Sequence, residues 1–159
     1  MAFVKHEFPP YFDENSEILI LGSIPSAQSR KVGFYYGHPK NRFWKVLESI
    51  YQEAILEDIE NKKAFLKRHH IALWDVLASC EIKGSSDASI QNPTPNDILS
   101  ILNNSKVKCI YTSGKKAYEL YQKYCYPMTK KEAILLPSTS PANAAMNLEK
   151  LVQAYKIIL

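Results

Sequence analysis

Little in this chain can staple, chelate or cross a membrane. Only three of its 159 residues are cysteine. Cys80, Cys109 and Cys125 are odd in number and lack C-x-x-C spacing, which argues against a disulfide framework, a zinc site or an iron–sulfur cluster. A reducing compartment fits best. No segment reaches the length of a membrane span, and the opening stretch MAFVKHEFPPYFDENSE lacks the apolar core of a signal peptide. The expectation is a cytoplasmic protein with no membrane contact. Glycine is sparse, with five residues, and none falls in G-x-G-x-x-G, G-K-[ST] or G-x-S-x-G. A dinucleotide fold, a P-loop and a nucleophile elbow are therefore unsupported. The four histidines, at positions 6, 38, 69 and 70, include no i,i+4 pair on a helix, so neither metal nor cofactor is expected. Charge of one sign is also lacking. A net charge of +4 is compatible with a polyanionic partner without demanding one.

What is present is a chain of one-domain size, residues 1–159, with 46% hydrophobic and 23% charged residues, an ordinary globular balance. Short apolar runs alternate with helical periodicity. EILILGS (Glu17 to Ser23), IALWDVL (Ile71 to Leu77), VKCIYTS (Val107 to Ser113) and AILLP (Ala133 to Pro137) read as strands buried on both faces, the second turning helical at its end. Helices are predicted from about Arg42 to Ala54, Glu57 to His70 and Lys115 to Tyr124. Another follows Asn96 as its cap, and a last amphipathic one runs from Pro141 nearly to Leu159. The polar stretch Glu81 to Asp97 reads as a long irregular loop. The fold class that follows is α/β: three α/β/α layers around a central, mostly parallel four-stranded sheet. Ligands of such sheets bind beyond the strands' carboxyl ends, here GSIPS, WDVL, TSGKK and LPSTSPAN.

Each of those ends has a structural and a functional reading. Ser140 before Pro141 fits a helix N-cap with proline at the first helical position. The same small residues at a helix start can also meet a phosphate or press into a nucleic-acid groove. Gly22 permits a tight turn. Asn41 caps the helix that begins with Phe43 and Trp44, or holds substrate or water beside the cleft. Asp75 is a helix cap or a carboxylate in the site. Lys115 and Lys116 are solvated, or they meet phosphates.

Taken together, LILGSIPS, GHPKNRFWKVL and LPSTSPAN, in this order and spacing, resemble the uracil-DNA glycosylase superfamily. FYYGHPKNRFWKVL is similar to the corresponding segment of the mismatch-specific uracil/thymine glycosylases, and the three motifs together look most like the hypoxanthine-DNA glycosylase branch. The resemblance runs from Ile18 to Leu151. It implies an enzyme without cofactor that flips a deaminated nucleotide from double-stranded DNA and hydrolyses its N-glycosidic bond; a monomer is expected. By the same resemblance Tyr36 stacks on the extruded base. Gly22, Ser23, Ile24, Pro25, His38, Asp75 and Ser113 line the base pocket, and Ser138, Thr139, Ser140, Pro141, Ala142 and Asn143 form the loop that enters the minor groove. Many relatives carry Asn or Asp where this chain has Ile24, which cannot polarise water. The catalytic role is carried to Asn41 instead. Ser113 stands where the branch often shows Asn.

Asp75 could accept a proton from N1–H of hypoxanthine, whereas adenine offers only a bare acceptor at N1. Uracil, with an N–H beside a carbonyl, presents a similar edge, so uracil excision from G·U mismatches is the enzymatic alternative. A protein that binds damaged DNA without cutting it is the alternative from another class, motivated by Ile24.

Overall fold

The computed structural model describes residues 2–83 and 86–159. The first half contains β1 (Ala2–Lys5), β2 (Ile18–Gly22), helices α1 (Ala27–Val32), α2 (Phe43–Tyr51) and α3 (Ile59–Arg68), then β3 (Ile71–Asp75) and β4 (Leu77–Ile82). The second half contains β5 (Gln91–Pro95), α4 (Ile98–Asn103), β6 (Cys109–Ser113), α5 (Lys115–Leu120), a π-helical turn (Tyr121–Cys125), α6 (Tyr126–Thr129), β7 (Ala133–Leu136) and α7 (Leu148–Tyr155). Among the described residues no helix is long and apolar enough to cross a membrane.

The apolar runs form the predicted sheet, with strand order β3-β2-β6-β7 and every pair parallel. Alternation along the strands divides the interior into two cores. Ile20, Ile71, Leu73 and Tyr111 pack under α2, α3 and α7 with Phe43, Leu47, Phe65, Leu151 and Tyr155. Leu19, Leu21, Ala72 and Ile110 face the other way, toward Ile98, Ile101, Leu120 and Tyr121. A continuous apolar run suits a strand with a core on each face.

Several sequence expectations are corrected. The chain does not turn helical after Asp75. It enters β4, the centre of a second, three-stranded sheet of order β1-β4-β5 whose pairs are antiparallel. The stretch Glu81 to Asp97 is therefore largely this sheet, with a 3₁₀ turn at Asp87–Ser89; its residues 84 and 85 lie outside the described residues. Asn96 does not cap α4. Asp97 holds that position without a side-chain bond, and the Asn96 amide donates to the Asp75 and Leu77 carbonyls at 2.9 and 3.0 Å, satisfying acceptors freed where the chain changes sheets. The helix after Gly114 continues past Tyr124 through the π turn to Thr129.

The last helix begins at Leu148 rather than Pro141, capped by Asn147, whose side chain accepts from the Lys150 N–H. Ser140 caps no helix. Its Oγ accepts from the Ala142 N–H at 3.2 Å, a local turn that keeps residues 138–146 as a loop.

Candidate active site

The carboxyl ends of the parallel strands surround a cavity of about 130 Å³. β2 supplies Gly22, followed by Ser23, Ile24, Pro25 and Ser26. β3 supplies Asp75, β6 Ser113, and the segment after β7 Ser138, Thr139 and Ser140; Tyr35, Tyr36, Asn41 and Asp87 complete the wall. The sequence-predicted pocket thus assembles, with one exception. His38 is not among the lining residues. Its Nδ1 accepts from the Lys40 N–H at 3.0 Å, and its carbonyl accepts from the Asn41 N–H at 2.9 Å, which closes the His38-Pro39 turn.

Tyr36 forms one wall. Its backbone is left-handed, with φ of 54°, an uncommon conformation outside glycine that marks a constrained position. Its ring lies on Phe43 at 3.8 Å between centroids and 14° between planes. The Tyr36 hydroxyl is buried, with no hydrogen-bond partner among the described residues. Burial, and then the nearby Asp75 charge, push its pKa well above the usual tyrosine value, so it stays a neutral O–H donor. A buried donor left unpaired is costly unless a ligand takes it.

Asn41 is fixed by its oxygen. Oδ1 accepts from the Phe43 N–H at 2.9 Å and from Thr139 Oγ1 at 2.8 Å. The first of these donors fixes which amide atom is oxygen. Nδ2 has no partner among the described residues and belongs to a side chain lining the cavity. The N-cap position of α2 is Arg42 rather than Asn41; the Asn41 oxygen instead ties the first turn of α2 to the loop, and the amide N–H remains available as a donor.

Two carboxylates share the pocket. Asp75, at the end of β3 and not at a helix start, is 5% exposed. It stands beside Gly22 in the parallel register, and a Cβ on Gly22 would come within 2.5 Å of its Oδ1. Only glycine lets the carboxylate lie there. Asp75 Oδ2 meets His6 Nε2 at 2.8 Å.

Asp87 was not legible in the sequence. The residue as a whole is exposed, but its carboxyl lines the cavity and accepts from the Ser23 hydroxyl at 2.8 Å. Loss of hydration is the main influence on this carboxyl. Asp75 adds to its upward pKa shift, while the Ser23 bond and Lys116 oppose it. Lys116, half-buried, is thus felt in the pocket, whereas Lys115 is exposed.

Ser113 Oγ is 3.0 Å from the Tyr155 hydroxyl, which donates to the Pro137 carbonyl at 2.7 Å. The Tyr155 proton is therefore committed to Pro137, and Ser113 is the donor of the pair. Ser113 itself lines the cavity.

Arg42 is the second residue the sequence reading missed. Its guanidinium donates to the carbonyls of Ser140 at 2.9 Å, Asn143 at 3.2 Å, Thr139 at 3.4 Å, and Met146. One side chain thereby gathers the loop onto the start of α2. Pro141 and Ala142 remain exposed, and the Asn143 amide donates back to the Ser138 carbonyl at 3.0 Å. Replacing Arg42 with Met is expected to cost about 1–3 kcal/mol by stranding several carbonyls. Arg42→Lys should recover little, because an ammonium cannot reproduce the guanidinium fork. Urea unfolding of the three proteins checks this; a lysine variant as stable as wild type would show that charge alone holds the loop.

The chain is thus a three-layer α/β/α fold with a small polar pocket at the strand ends and a loop tethered beside it. Residues 9–158 match the sequence model described as the uracil DNA glycosylase superfamily, and the chain belongs to that superfamily. It is 41% identical over 142 residues to a Methanosarcina barkeri protein named hypoxanthine DNA glycosylase, covering 87% of this chain and 88% of that one. A second protein of that name, from Methanosarcina acetivorans, is 39% identical over 143 residues, covering 88% and 89%. A solution structure from Methanosarcina acetivorans, provisionally described as a uracil DNA glycosylase, superposes with a TM-score of 0.79 at 34% identity, covering 99% of both chains.

Proposed function

We propose that the protein is a monofunctional DNA glycosylase that removes hypoxanthine from deoxyinosine in double-stranded DNA, acting as a cytoplasmic monomer without a cofactor. The observation that carries the choice of base is Asp75. A carboxylate held against Gly22 in the wall of the cavity is acceptor-only. It suits the N1–H of hypoxanthine and repels the N1 lone pair of adenine.

In this reading the base enters against Tyr36, whose other face is backed by Phe43. The loop from Ser138 to Asn143 occupies the gap left in the duplex, its exposed Pro141 and Ala142 foremost. As the glycosidic bond lengthens, negative charge gathers on the base and positive charge on the sugar. The Asn41 amide and the Tyr36 hydroxyl are donors placed to meet the former, and fixed donors cost no reorganisation at the moment of reaction. The phosphates of the DNA itself favour the latter. Water then adds to the sugar, giving free base and an abasic site.

Uracil presents its N3–H to the same acceptor and is the competing substrate. Purified protein in excess, incubated with duplexes carrying one hypoxanthine or one uracil opposite each normal base, with EDTA present and alkaline cleavage of abasic sites, is expected to release hypoxanthine faster. Release of uracil alone would overturn the choice of base. Salt-sensitive binding without release of either would replace the enzyme with a damage-binding protein.

A further inference from the structure

His6 lies before residues 9–158, the span matched to the family, and the reaction outlined above leaves it without a task. Yet its side chain is 2% exposed, against 7% for that of Asp75, and Nε2 is 2.8 Å from Asp75 Oδ2. It comes from a different sheet. β1 lies antiparallel to β4, and the His6 N–H donates to the Ala78 carbonyl at 2.7 Å, which extends that pairing one residue past Lys5.

The ring is held on its sides. Phe8 packs at 4.7 Å and Tyr35 at 5.9 Å between centroids, and the Tyr35 hydroxyl donates to the Pro9 carbonyl at 3.0 Å. The N-terminal segment is thereby pinned to the wall of the cavity, since Tyr35 itself lines it.

We propose that His6 is a positioning residue for base recognition: by donating to Asp75 Oδ2 it fixes the carboxylate so that Oδ1 alone faces the cavity as the acceptor for the N–H edge of the flipped base. The inference rests on the reading of Asp75 given above. A carboxylate can accept only a proton carried by Nε2, so the ring is the Nε2–H tautomer or the cation in this contact. With Oδ2 occupied and Oδ1 lying over Gly22, the carboxylate cannot turn about its own bond without losing the histidine. Removing His6 leaves a buried carboxylate short of its partner and free to turn about its own bond toward another donor or water. That rotation spoils the acceptor.

The test is a ladder of variants read by single-turnover excision with enzyme in excess. Duplex affinity and melting temperature are measured alongside. In His6→Gln the amide nitrogen reaches about as far as Nε2 and the donor is kept; in His6→Leu it is lost. Excision of hypoxanthine by H6L is expected to fall about 30-fold with duplex affinity changed less than about threefold, and H6Q to stay within about fivefold of wild type. In an Asp75→Asn background the H6L substitution should add nothing, because the carboxylate it positions is gone.

Wild-type rates in H6L, a folded H6Q as impaired as H6L, or losses that multiply in the double variant would each overturn the proposal. Should H6L fail to fold, H6Q against His6→Asn, which is polar but too short, gives the same contrast. A wild-type protein that acts on uracil instead would overturn the choice of hypoxanthine while leaving His6 to be judged on the same ladder, since uracil offers its own N–H. A protein that excises neither base would overturn both.

Discussion

Asn41→Asp is expected to fold normally and lose about 100-fold in single-turnover excision, the usual cost of deleting one fixed donor at a site of developing charge. The substitution separates the two jobs of the side chain. A carboxylate oxygen still accepts from the Phe43 N–H and from Thr139 Oγ1, the bonds that Asn41 Oδ1 makes at 2.9 and 2.8 Å. A negative charge at the start of α2 is favourable besides. What disappears is the Nδ2 donor. Asn41→Ala removes both jobs and should lower stability by about 1 kcal/mol in addition. If the aspartate variant cleaves at the wild-type rate while the alanine variant does not, Asn41 is scaffold only, and the donor must be sought at the Tyr36 hydroxyl.

Gly22→Ala is expected to damage both fold and activity through one atom. The new Cβ would sit 2.5 Å from Asp75 Oδ1, and neither neighbour has slack: Asp75 is 5% exposed and tied to His6. Forcing a methyl into such a site costs about 1–3 kcal/mol. Displacing the carboxylate by an ångström or so is expected to lower excision about 100-fold. Adding Asp75→Ala makes room, so the double variant should recover most of the melting temperature while remaining slow. A double variant as unstable as Gly22→Ala alone would place the strain elsewhere in the turn.

The parallel sheet was legible because strands with a core on each face must be apolar throughout, and ILILG and IALWD show it directly. The small antiparallel sheet was not. β5 reads QNPTP, with Pro93 and Pro95 and mostly exposed residues, a pattern tolerated only at a sheet edge. β1 buries one residue of four, Val4. Neither strand carries a period that distinguishes it from loop.

The site divided along the same line. Gly22, Ile24, Tyr36, Asn41 and Asp75 sit at the ends of strong elements or inside a dense motif, so their convergence followed from the topology. His6 reaches Asp75 from that second sheet, and Asp87 reaches the cavity from the turn between β4 and β5. Their roles depend on a pairing that sequence patterning did not disclose. Arg42 was hidden differently: as a charged residue before an amphipathic helix it looks like solvent-facing surface, and only the carbonyls of a loop about a hundred residues further on reveal its use. Pro141 misled because Ser-Pro is a sound helix start, yet here the chain spends six more residues answering Arg42 before α7 begins.

If the base stacks on Tyr36 as proposed, that ring, seated on Phe43 with a left-handed backbone, also determines who bears the expense of recognition. A platform already stacked on the first residue of a helix has little freedom left to surrender when a base arrives. The unfavourable part of base flipping then falls almost wholly on the duplex. Lesions whose pairing is already weak would be drawn in faster by the mechanics of the DNA, before any hydrogen bond to Asp75 is made. Discrimination would come in two successive filters, one belonging to the helix being searched and one to the protein, with the stiffness of a single aromatic wall keeping them separate.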